Sequence, residues 1–255
     1  MTSKQMPPNN RLQQTALRAA AEPERSAALS KGEHMAMIAR VKSGLSHLLM
    51  SEAWRLASFC KDIEDAEKHL DWPQPRQHEN LGHAAASVVL AAAALEAAIN
   101  EIYLQAVDRS VDAFPELTRS QLDLLAQLWE VVETARSHPL KKHDVALAAT
   151  QRGDMPSGEE PGQSAQSLFA LRDLLVHFKP EWDDELDRHL RIEQRLRSKF
   201  EANQLSARAS GRMLWFPGQC LGAGCAAWAC HTASRYHSEF ARRLGTKARL
   251  PADEF

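Results

Sequence analysis

Nine of the fifteen residues from 84 to 98 are alanine. Alanine loses no side-chain entropy in a helix and adds only a methyl group to its surface. The run predicts a helix that its neighbours can approach closely, and it sets the expectation for the rest of the chain. Glycine and proline number 11 and 12 in 255 residues, and tyrosine occurs twice. Few breakers and few β-forming aromatics favour helix throughout. No useful length of apolar–polar alternation suggests a strand, and no internal repeat suggests a solenoid. The expected fold class is all-α, an antiparallel helical bundle of five to seven helices.

Residues 33–70 read as one long amphipathic segment, softened at Gly44 and stopped by Asp71-Trp72-Pro73-Gln74-Pro75. A helix is expected over 81–109. Another is expected over 119–136, started by the N-cap Thr118 and ended before Pro139. QRGDMPSGEEPGQS, 151–164, is the clearest loop. Helices then follow over 165–178, 182–203 and 219–244. The bundle is read as a single domain over 31–245, with a flexible loop at 151–164 and a short tail at 246–255. Residues 1–30 show little periodicity, the pattern of a flexible extension. Within them, PNNRLQQTALRAAAEPER resembles a segment at the start of otherwise unrelated bacterial proteins. That suggests a translated repeat, with Met35 or Met37 as the expected start.

Thirty-one lysines and arginines against 33 acidic residues leave a net charge of −2. This excludes a polycationic coat for nucleic acid. The best membrane candidate, 84–102, carries Glu96, Asn100 and Glu101 and falls short of a continuous apolar span of about 20 residues. The N-terminus is polar and shows no secretory pattern. Of four cysteines, Cys220, Cys225 and Cys230 are five apart, so on a helix each turns about 140° from the last. Core thiols fit that spacing better than a zinc site or a disulfide framework. The expectation is a soluble, reduced, cytoplasmic protein with no metal and no cofactor. With no Gly-rich phosphate loop and no His-Glu-x-x-His pattern, classical nucleotide hydrolases and zinc peptidases are excluded.

The most informative segment is SLFALRDLLVHFKP, 167–180. On a helical wheel, Leu168, Leu171, Leu175 and Phe178 make a core stripe. A second face mixes Arg172, Asp173 and His177 with Phe169 and Val176, two apolar residues expected to be exposed. Such a face suits packing against a second copy or a ligand. His177 is placed in the last turn, where the helix dipole favours its protonated form. A histidine that can give and take protons beside a fixed guanidinium is suited to cleaving a phosphodiester. Glu96 and Asn100 are four apart and share a helix face. A carboxylate in an apolar stripe is costly unless paired, and Arg172 is the expected partner. Arg188, Arg191, Arg195, Arg197 and Lys199, opposed between 188 and 199 only by Glu193, form a basic run that, with Lys179, could guide an RNA backbone.

Arg172-Asp173-Leu174-Leu175-Val176-His177 resembles the Arg–polar–x–x–x–His signature of the HEPN superfamily, helical-bundle proteins that include metal-independent endoribonucleases. Leu95-Glu96-Ala97-Ala98-Ile99-Asn100-Glu101 is similar to the family's earlier alanine-rich helix. LRDLLVHFKPEW, 171–182, is similar to its signature helix and exit, and WFPGQCLGAGCAAWA, 215–229, to the final-helix start of one bacterial branch. The resemblance implies a homodimer in which two signature helices meet, so that paired Arg172 and His177 build one RNA-cleaving site and Asp173 fills the polar position. It implies an RNA substrate and leaves room for an antitoxin or regulatory protein as partner, with a role as toxin or defence effector. The alternative is a non-catalytic dimeric module with the same fold.

Overall fold

The computed structural model describes residues 44–67, 74–180, 187–203 and 215–251, all within one unit, Gly44–Phe255. The expected extension, the repeat-like segment and both alternative starts lie outside the described residues, as does the stop at Asp71-Trp72-Pro73. The described residues form α1 (Ser46–Glu67), α2 (Gln74–Val107), α3 (Arg119–Thr134), α4 (Pro139–Ala149), α5 (Gly162–Val176), α6 (Asp187–Leu196) and α7 (Ala223–Leu244). No strand occurs among them, and the fold is an all-α bundle.

α2 is the axis of the bundle. α1, α3, α4, α5 and α7 all pack against it, and α7 also packs on α1. The alanine run is the reason: Ala84, Ala91, Ala92, Ala94 and Ala98 are fully buried on faces turned towards different neighbours. Leu95, Ile99 and Ile102 fill the spaces between helices, each contributing about 2 kcal/mol through burial. By length and composition α2 could cross a membrane; here its apolar side chains are the core. It begins seven residues before the expected 81, because a proline in the first turn removes only an amide the helix does not use.

Two helices are capped by side chains from elsewhere in the fold. The carboxylate of Glu101, on α2, accepts from the Leu45 and Ser46 amides at 2.7 and 2.9 Å and from the Ser46 hydroxyl at 2.7 Å. These groups open α1. Glu64, on α1, accepts from the Ala223 amide at 2.7 Å and from Asn80 Nδ2 at 3.0 Å, which fixes the start of α7. Burial raises the Glu64 pKa, yet two donors hold the carboxylate in place. α3 has the local cap its sequence announces, a reciprocal box between Thr118 and Gln121.

Several boundaries differ from the sequence reading. α4 is an additional helix, with Pro139 in its first turn where a stop was expected. α5 starts at Gly162, inside the expected loop, and ends at Val176, not Phe178. Phe178 is therefore no part of a helical core stripe. It is half-exposed, and its ring lies 6.0 Å from His189 and 6.3 Å from Phe216. The loop is tied down where Arg243 donates to the Asp154 carbonyl at 3.0 Å and Lys199 meets Glu160 at 2.7 Å. Residues 246–251, read as tail, fold back as a strap. Thr246 Oγ1 donates to the Ala113 carbonyl at 2.6 Å, Arg249 N–H donates to His237 Nε2 at 3.1 Å, and Leu250 is buried.

Candidate active site

α5 and α4 both pack against α2, and His138, which opens α4, meets Phe169 of α5, so three helices contribute to the surroundings of Arg172. The guanidinium is 5.2 Å above the Phe169 ring, one turn back on α5. Its Nη1 is 3.2 Å from Asp173 Oδ1, and its Nη2 is 3.8 Å from Glu96 Oε2 on α2. The Arg172 side chain is 23% exposed, against 41% for Glu96 and 51% for Asp173. The stem is packed while both carboxylates stand towards water. The expected Glu96–Arg172 pair is thus present, as a loose contact at 3.8 Å.

Asn100 is not part of that pair. Its Oδ1 accepts from Lys142 Nζ at 2.9 Å. Lys142, on α4, also lies 3.3 Å from Glu133 and 5.4 Å from the Trp129 ring centroid, and its backbone carbonyl accepts from the Tyr103 hydroxyl at 2.9 Å. The shared face of Glu96 and Asn100 is real. It spans two α-helical neighbours, so one residue meets α5 and the other meets α4.

Phe169 corrects the sequence reading. It is 2% exposed, because the start of α4 covers it and the His138 ring approaches edge-on at 4.9 Å. Val176, its expected companion on the mixed face, is exposed. His177 is exposed and is the C-cap of α5, its backbone N–H donating to the Asp173 carbonyl at 2.9 Å. Among the described residues no hydrogen bond or ring contact engages the imidazole. It stands in an open position five residues beyond Arg172.

His138 is the site residue that sequence reasoning missed. It is the N-cap of α4, and its Nδ1 accepts the Leu140 amide at 3.3 Å. Partial burial lowers its pKa, with the Arg172 charge acting in the same direction and Asp173 and Glu96 in the opposite one. The electrostatic coupling puts His138, Arg172, Asp173 and Glu96 in one cluster. The sequence signal was available: a histidine directly before a proline that begins a helix can act as its cap.

The basic run is spent in two ways. Arg197 pairs with Glu193, and Lys199 with Glu160; the second carboxylate comes from a distant loop and so was not counted in the local excess. α6 buries His189, Ile192 and Leu196. Arg188, Arg191 and Arg195 form an exposed stripe at i, i+3 and i+7, with Arg191 Nε donating to the Asp187 carbonyl at 3.0 Å. Lys179 is exposed beyond the end of α5.

All four cysteines are buried and unbridged. Burial pushes the Cys60 and Cys230 thiols up to about 12, which suits inert core packing. Among the described residues no three histidine, cysteine or carboxylate side chains gather as a metal-binding group.

No family model, curated protein or solved structure matches this chain. The resemblance to the HEPN superfamily stands on the sequence motifs themselves.

Proposed function

We propose that the chain is a metal-independent endoribonuclease of the HEPN type that cleaves RNA at a site built where the α5 helices of two protomers meet. The observation that supports this most is the contrast within one helix end: Arg172 is seated on Phe169 beside Glu96, while the His177 ring is exposed and has no partner among the described residues. Arg172 binds the scissile phosphate in place of its loosely held carboxylates and stabilises the charge that develops on it. His177 takes the proton from the 2′-hydroxyl, and a protonated His177 of the second copy gives one to the departing 5′-oxygen. The products carry a 2′,3′-cyclic phosphate and a free 5′-hydroxyl. Asp173 orients the guanidinium. The stripe Arg188, Arg191, Arg195, with Lys179, guides the flanking backbone.

The test is cleavage of a labelled RNA by purified protein in chelator, beside Arg172→Ala and His177→Ala. Fragments ending in cyclic phosphate from the wild type alone support the reading. Intact RNA at concentrations where the protein is dimeric overturns it.

One observation favours the second reading, a non-catalytic dimeric module. Arg172 already faces two carboxylates, 3.2 and 3.8 Å away, which give the trio a net negative charge. Growth of bacteria expressing the wild type or His177→Ala separates the two. Toxicity relieved by the substitution supports the nuclease, and equal growth with a stable dimer supports the module.

A further inference from the structure

We infer that His138 is a fixed, neutral hydrogen-bond donor to the phosphate that Arg172 binds, a further catalytic residue of the proposed ribonuclease and distinct in role from His177; the inference rests on that reading of the site.

The argument begins with the cap. α4 opens with Pro139, which has no N–H, so the Leu140 amide is the first backbone donor of the helix. His138 Nδ1 accepts it at 3.3 Å. A ring nitrogen that accepts carries no proton, so the neutral ring carries its proton on Nε2. Charging the ring would require a proton on Nδ1 as well, facing the Leu140 N–H. The positive end of the α4 dipole also opposes a cation there. Partial burial and Arg172 lower the pKa, and the opposing pull of Asp173 and Glu96 does not reverse the shift. His138 is therefore a donor at Nε2 and stays neutral where an ordinary histidine begins to protonate.

Position gives that donor a purpose. The His138 ring and the Arg172 guanidinium both contact Phe169, at 4.9 and 5.2 Å from its ring centre. His138 is exposed, and among the described residues Nε2 has no acceptor. A phosphate on the Arg172 fork has an N–H donor from a second helix within the same cluster. A donor fixed before the reaction stabilises charge as it forms on the phosphate oxygens, with no proton transferred by this ring. His177 stands exposed at the end of α5, and among the described residues its ring has no hydrogen-bond or ring partner. The two histidines divide the chemistry: one binds developing charge, the other moves protons.

The experiment uses the full chain, His138→Asn and His138→Ala. Asparagine keeps an N-cap acceptor for the Leu140 amide, so it separates loss of the ring from loss of the helix start. The expected result is cleavage slowed about 100-fold in His138→Asn, the usual effect of removing one preorganised donor, with an unchanged melting temperature and unchanged limbs of the pH–rate profile. In parallel, ¹⁵N-histidine spectra of the wild type at pH 7 should show His138 protonated at Nε2 alone. That resonance should move when a 2′-deoxy dinucleotide, which cannot be cleaved by this chemistry, is added. If the wild type cleaves RNA and His138→Asn cleaves at the same rate, the role of His138 is overturned and the ribonuclease reading stands. If a pH limb disappears in His138→Asn, the ring titrates and the neutral-donor role is overturned. If the wild type leaves RNA intact but the dinucleotide moves the Nε2 resonance, the donor site is supported and the nuclease reading is overturned. No cleavage and no spectral response overturn both.

Discussion

α2 carries two glutamates five residues apart, and each meets an arginine from a later part of the chain. Glu101 lies 3.5 Å from Arg249 and Glu96 lies 3.8 Å from Arg172. The distances barely differ, but the surroundings do. Glu101 is 18% exposed and also accepts three hydrogen bonds from Leu45 and Ser46. Glu96 is 41% exposed. One carboxylate is saturated and joins three parts of the fold. The other keeps unused acceptor capacity in water, as does the Asp173 carboxylate beside it. A salt bridge that holds a fold together is recognised by its further partners, and a salt bridge that can give way to a ligand by their absence.

Among single substitutions, the largest effect should come from removing the saturated carboxylate. Glu101→Ala leaves the α1 amides without an acceptor and Arg249 half-buried without its anion, at a cost of about 3 kcal/mol. Glu96→Ala should cost less than about 1 kcal/mol, as exposed pairs do. Urea unfolding measures both, and equal losses would break the comparison.

Acid should sharpen it next. His237 anchors the strap through the Arg249 amide, and burial lowers its pKa to about 4; burial lowers that of His143 to about 3. In the unfolded chain both take up protons below about 6.5, so the stability they hold is complete above that pH. It drains as pH falls towards the folded values, by about 2 kcal/mol per histidine at pH 5. Urea midpoints at pH 7 and 5 should show this fall. His237→Gln, which retains an acceptor for the Arg249 amide, should make it shallower. A slope equally steep in His237→Gln would count against the assignment.

A further effect of backbone origin is expected at the hinge between α7 and the strap. Gly245 has a φ of +77° and a Cβ there would come within 2.6 Å of Glu116. Gly245→Ala should cost about 1–2 kcal/mol from the left-handed conformation alone, and Glu116→Ala should relieve any steric excess above that. Thermal melts of the single and double variants measure the two parts.

The fold class was legible because its signals are local. Alanines at 84–98 needed no partner to announce a central helix, and Thr118 announced the start of α3 by itself. α4 was hidden because its buried face includes Lys142 and His143, which read as polar surface, and because a proline that stops one helix can equally start another. The site was half legible. Spacing put Glu96 opposite Arg172, but it could not show that Asn100, one turn on, would be taken by a lysine from an unrecognised helix. Phe169 was misread for the same reason: a wheel describes one helix, and what covers a face is settled by distant chain. His138 entered the site through that same unrecognised helix.

The corner at Glu101 has a topological consequence. Leu45, where the described fold begins, and Arg249, near where it ends, both reach the same carboxylate, so the two ends of the bundle are neighbours in space. A short linker could join residue 251 to residue 44, and new termini could be opened at the exposed turn around Gly158. Such a circular permutant would keep every helix–helix contact while separating the Arg172 cluster from any influence of the segment that precedes Gly44.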